Sequence, residues 1–122
     1  MAFLTDSLRD LSRKEPMASV AILTPTRDAS ALYYEGLMKS ELPQVRRVLN
    51  QDFTFSPGIE ITEIAQVKGL EFDYVILVDV SDENYSNAPS DRRRLHVGAT
   101  RAVHQLWLTS VGTPSSLVRS AL

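Results

Sequence analysis

Cysteine is absent from this chain, which excludes disulfides and thiolate metal sites and favours a reducing compartment. Also missing is any long apolar run. The stretch through Pro16 mixes acids and bases among its leucines, so neither a signal peptide nor a membrane span is read there and a cytoplasmic location is expected. Positive charge is not in excess either: 13 Lys and Arg against 15 Asp and Glu leave a formal charge of -2. Contact with nucleic acid would therefore need a local basic patch. Glycine is scarce, and none of the five fits G-x-x-x-x-G-K-[ST], so the backbone cradle, lysine and metal-binding hydroxyl of a phosphate loop are missing. His96 and His104 have no plausible third ligand, and no metal site is expected.

What remains is a chain of 122 residues, 43% of them apolar. That suffices for one core and one domain, read as an N-terminal helix over about 1–15 and a core over 16–122. Leu4, Leu8 and Leu11 share a helical face with Phe3, and Pro16 stops that helix. The run Ser19 to Thr24 suits a central strand buried on both sides. A helix capped by Asp28 or Ser30 follows to about Met38. Pro43 leads into a short strand, Gln44 to Leu49, and a loop with Pro57 and Gly58 into another, Ile59 to Ile64. After a turn from Lys68 to Asp73, Tyr74 to Val80 is again apolar on both faces. A helix capped by Asp91 is expected to run through Ala102, then a strand Gln105 to Thr109 and a closing helix Pro114 to Leu122. Strands separated by helices or long crossovers imply an α/β fold with a parallel sheet and helices on both faces.

Two segments stand out: Val67-Lys68-Gly69-Leu70-Glu71-Phe72-Asp73-Tyr74-Val75-Ile76-Leu77 and Arg94-Leu95-His96-Val97-Gly98-Ala99-Thr100-Arg101-Ala102. In order and separation they resemble motifs V and VI of UvrD-like superfamily 1 DNA helicases, and the resemblance runs from about Val20 to Thr109. It implies a RecA-like fold and ATP as the nucleotide, with Gly69 beside its phosphates and Glu71 in contact with its sugar. The residue chemistry agrees. Gly69 permits close backbone approach, and Glu71 offers two acceptor oxygens to hydroxyls. Arg101 matches the arginine that meets the γ-phosphate, for which a planar, permanently charged fork is well suited. Gly98, Ala99 and Ala102 are small enough to let their helix approach the sheet.

The chain also departs from the family pattern. Ala65 stands where the family usually has a histidine, and Gln66 is taken as a further polar contact near the same cleft. Ala21-Ile22-Leu23-Thr24 resembles motif IV, but Pro25 occupies the usual arginine position, which leaves Arg27, two residues on, as a candidate for that second phosphate contact, ranked behind the reading of an ordinary loop arginine. Asp79 resembles a Walker B carboxylate, yet without a phosphate loop no magnesium is assigned to it. Arg92, Arg93 and Arg94 are read as a solvated helix face with DNA phosphates as the alternative, and Trp107 as core.

With half an active site present, the chain reads as the C-terminal motor domain of an ATP-dependent DNA helicase or translocase. Its partner would be an N-terminal domain of the same parent chain, which supplies the phosphate loop and most of the grip on Mg2+. Single-stranded DNA is the expected track, and the isolated domain is expected to be monomeric and inactive. Two rivals are a RecA-like adaptor that works by binding a partner, and a small nucleotide-binding protein completed by dimerisation.

Overall fold

A computed structural model describes residues 2–40, 42, 45–48, 57–67, 70–110 and 114–119. Five strands form one sheet in the order β2-β3-β1-β4-β5, every neighbouring pair parallel. They are β1 (Ser19–Thr24), β2 (Val45–Arg47), β3 (Gly58–Glu63), β4 (Phe72–Leu77) and β5 (Ala102–Leu108). Helices α1 (Ala2–Lys14), α2 (Arg27–Met38), α3 (Pro89–Ala99) and α4 (Ser116–Arg119) complete the fold.

The alternation of side chains along β1 builds two cores. Val20 and Ile22 point to one face, where they meet Leu4 and Leu8 of α1, Leu37 of α2, and Tyr33, Tyr34 and Trp107. Ala21 and Leu23 point to the other, with Leu95 of α3, Ile64, Val75, Leu77 and Tyr85. Central strands buried on both faces need the continuous apolar runs seen in β1 and β4. The sandwich of sheet between helices is the one expected, and Trp107 packs against a core as expected. Among the described residues no helix is long and apolar enough to cross a membrane.

Several element ends differ from the sequence reading, each for a local reason. Thr26, not Asp28 or Ser30, caps α2, its hydroxyl accepting the Ala29 N–H at 3.1 Å. Strand β4 starts at Phe72 and ends at Leu77, because Asp79 adopts φ 55°, a left-handed conformation that cannot continue a strand. Helix α3 begins with Pro89 in its first turn, where the missing N–H costs nothing. Asp91 is instead drawn outward, accepting the Ser86 hydroxyl at 2.7 Å and the Ser86 N–H at 3.0 Å. The hydroxyl and then the backbone bond hold its carboxyl below the usual range. The helix stops at Ala99, and Ala102 opens β5. Residues 43, 44, 49–56 and 120–122 of the expected elements, and Lys68 and Gly69 of the motif turn, lie outside the described residues.

Gly98 decides how close α3 sits. A Cβ built there would lie 2.5 Å from Ile64 Cδ1 and 3.1 Å from Leu77 Cδ2. The bare backbone of α3 therefore rests directly on the 3-10 turn Ile64–Gln66 and on β4.

A buried phenol, Tyr85, and a half-buried one, Tyr33, are expected to make the fold alkali-sensitive. Burial pushes Tyr85 up to about 12 from 10.0. Tyr33 is raised by burial first and then by the bond from its hydroxyl to Asp79 Oδ1 at 2.8 Å. Phenols protonated in the fold but ionised near pH 10 when unfolded give stability that is complete below pH 10 and is lost as pH rises through 12. The Tyr85 hydroxyl has no hydrogen-bond partner among the described residues. Tyr85→Phe should therefore be neutral or stabilising by up to about 1 kcal/mol, and should blunt the alkaline loss. Urea unfolding at pH 8 and pH 11 checks both outcomes.

Candidate functional site

Glu71 immediately precedes β4 and Arg101 immediately precedes β5, and these strands are neighbours. Both residues therefore stand at the amino ends of adjacent strands. The turn after Ile64 starts at the carboxyl end of β3, as a parallel sheet would suggest for a ligand loop. Because β3 and β4 both run parallel to β1, the connection must return across the sheet, and Glu71 stands at the opposite, amino end. The Phe72 N–H donates to the Arg101 carbonyl at 2.8 Å, and Phe72 is in register with Ala102. That bond fixes the backbones of the two candidate residues side by side. A second reciprocal pair squares the same edge: the Ser19 N–H donates to Asp73 Oδ2 at 2.9 Å, and the Asp73 N–H to the Ser19 hydroxyl at 3.0 Å.

The Glu71 side chain is exposed, and among the described residues its carboxylate has no hydrogen-bond or ion-pair partner, so both oxygens are open to hydroxyl donors. Arg101 is half-buried at the end of α3. Its Nε donates to the Val97 carbonyl at 3.1 Å and its Nη2 to the Thr100 hydroxyl at 3.1 Å. The first of these satisfies a carbonyl at the open end of the helix, where a cation is also favoured by the helix dipole. The pairing of β4 with β5 thus places a carboxylate-bearing residue and a guanidinium-bearing residue at neighbouring positions on one end of the sheet.

The other expected residues are distributed differently. Gln66 lies on the crossover between β3 and β4, with its amide donating to Glu63 Oε1 at 3.3 Å. Gly69 is outside the described residues. Arg27 is exposed at the first turn of α2, beyond the carboxyl end of β1. A six-residue strand spans roughly 20 Å at about 3.3 Å per residue, so the fold does not bring Arg27 to Arg101. Two arginines at opposite ends of one sheet cannot grip the same phosphate within this domain.

The three arginines expected as one solvated face separate into two kinds. Arg92 and Arg93 are exposed. Arg94 turns inward, donating to the Pro25 carbonyl at 2.9 Å, the Asn84 carbonyl at 3.0 Å and Asp91 Oδ1 at 3.1 Å. Its guanidinium also lies 4.9 Å from the centre of the Tyr85 ring. The chain leaves β1 for α2 on one face and β4 for α3 on the other. Arg94 thus bridges the crevice where the two connections part. Arg94 stands one helical turn from Asp91, a spacing that lets the two pair. Among the described residues no cluster of three His, Asp or Glu could hold a metal ion.

Comparison with known proteins agrees with this architecture. Residues 58–109 match the family described as the UvrD-like helicase C-terminal domain. The chain is similar to the solved C-terminal domain of a possible DNA helicase from Lactobacillus plantarum WCFS1. Identity is 26% and the TM-score 0.79, covering 96% of this chain and 70% of that one. No curated protein sequence matches the chain.

Proposed function

Because the chain carries a UvrD-like helicase C-terminal domain with a RecA-like α/β fold, we propose that it is the second motor domain of an ATP-driven DNA helicase or translocase. In this reading, Glu71 receives the ribose hydroxyls and Arg101 meets the terminal phosphate of ATP. Gly69 gives the phosphates room, and Gln66 is a further polar contact near the same cleft. The observation that supports the reading is the 2.8 Å bond from Phe72 N–H to the Arg101 carbonyl, which holds the backbones of Glu71 and Arg101 side by side. An N-terminal domain of the parent chain contributes the phosphate loop and most of the Mg2+ ligands. Bound ATP supplies the energy, and this domain's part is to recognise it and close against the partner domain. Single-stranded DNA is the track, with Arg92 and Arg93 available for its phosphates. Arg27, remote from Arg101, is reassigned from the nucleotide to the carboxyl-end loops.

The test compares this chain alone with the full-length protein. The isolated domain should hydrolyse ATP at background rate at every concentration, whereas the full-length protein should show DNA-stimulated turnover. In the latter, Glu71→Ala should raise KM for ATP about tenfold, as expected for losing hydrogen bonds worth roughly 1–1.5 kcal/mol. Turnover by the isolated chain that grows with its concentration would instead favour completion of the site by dimerisation. A full-length protein without ATPase activity would favour the adaptor.

A further inference from the structure

The end of α3 contains a closed ring of hydrogen bonds that Arg101 shares with its neighbour. The Thr100 hydroxyl donates to the Val97 carbonyl at 3.0 Å and accepts from Arg101 Nη2 at 3.1 Å, while Arg101 Nε donates to the same Val97 carbonyl at 3.1 Å. A guanidinium has two edges able to form paired bonds. The side edge, Nε with Nη2, is the one used here. The end edge, Nη1 with the outer hydrogen of Nη2, makes no bond among the described residues.

We propose that Thr100 is a positioning residue, whose hydroxyl fixes the plane of Arg101 so that the end edge of the guanidinium is presented, already oriented, to an anionic oxygen. The proposal rests on the reading of Arg101 as a phosphate contact and extends it to how that contact is aimed. A long side chain has several rotatable bonds, and ordering it on demand costs conformational entropy. Two bonds to its own helix end order it in advance, and they use the edge that a phosphate does not need. The alternative, an arginine that must leave its helix cap to bind, would spend the same edge twice. Thr100 itself is exposed and belongs to neither core, so its hydroxyl can be removed without emptying packed volume.

The expected consequences are specific to orientation. In this chain labelled with 15N, the Arg101 Nε–H should be rigid and slow to exchange with water. Thr100→Val, which keeps the shape and deletes the hydroxyl, should loosen it, Thr100→Ala should do the same, and Thr100→Ser should leave it ordered. In the full-length protein, Thr100→Val should lower kcat for ATP about five- to twentyfold with KM within about twofold, since misaligned groups lose rate more than ground-state affinity. Thr100→Ser should recover most of the loss. If Arg101→Ala abolishes turnover but Thr100→Val and Thr100→Ala neither loosen the Nε–H nor slow turnover, the positioning role is overturned and the phosphate contact stands. If Arg101→Ala leaves turnover intact, the phosphate contact fails and the positioning role fails with it.

Discussion

In the full-length protein, Arg101→Ala is expected to cut ATP turnover on the order of a hundred- to a thousandfold while scarcely changing the stability of the fold. The kinetic side follows from charge. Negative charge accumulates on the transferred phosphoryl group and the leaving oxygen, and a fixed cation aimed at it in a water-poor cleft stabilises the transition state more than the ground state. The stability side follows from where the guanidinium is held. Its bonds, to the Val97 carbonyl and the Thr100 hydroxyl, lie at the surface end of α3. Water can replace both donors, so the loss should stay within about 0.5–1 kcal/mol. Lysine should rescue poorly, because an ammonium group cannot hold the helix end by one edge and offer a second edge to phosphate. Steady-state ATPase rates together with thermal unfolding of the same variants measure both sides. A variant with near-normal turnover would remove Arg101 from the chemistry.

Arg94→Ala should behave in the opposite way, lowering stability by about 2–3 kcal/mol. Three acceptors converge on this one guanidinium, two of them backbone carbonyls from separate loops. Hydrogen bonds made by a charged donor are worth more than neutral ones, and the carbonyls of Pro25 and Asn84 would be left without this partner in a half-buried crevice. The face of Tyr85 would also lose its cation. Arg94→Lys should recover little, since one ammonium group on a flexible stem cannot span all three acceptors. Urea unfolding of the isolated chain reads the effect directly. Arg92→Ala and Arg93→Ala serve as controls, expected within about 0.5 kcal/mol of the parent because both residues are exposed.

The contrast between these neighbours marks the limit of sequence reading here. Arg92, Arg93 and Arg94 are chemically identical, and only three-dimensional placement decides which one faces the Pro25 loop. Strand β1 was legible because a run apolar on both faces has few other uses in a small domain. The ends of β4 were not, since Asp79 takes a left-handed conformation that propensity assigns to it only rarely. Asp91 looked like a helix cap, but Ser86 offers it a competing hydroxyl and N–H, and Pro89 starts the helix without it. Glu71 and Arg101 were each singled out by their motifs. Their adjacency depends on the pairing of β4 with β5, a long-range register that no local pattern encodes. The separation of Arg27 from Arg101 has the same origin: it is fixed by strand direction, which a list of motifs does not contain.

The absent side chain at Gly98 has a wider consequence. Helix α3 runs from the Arg94 crevice at one end of the sheet to Arg101 at the other, and its height above the sheet is set at Gly98 by contact with Ile64 and Leu77. A methyl group there must displace buried neighbours, and a branched side chain must lift the helix, at about 1–3 kcal/mol for overpacking. A systematic mutational screen scored by cell survival would therefore rank Gly98 beside Glu71 and Arg101, although its role is to seat the helix on the sheet. Pairing each variant's activity with its melting temperature would separate the two. Gly98→Ala and Gly98→Val should lose both together, in proportion to side-chain size, whereas variants at Arg101 should lose activity alone.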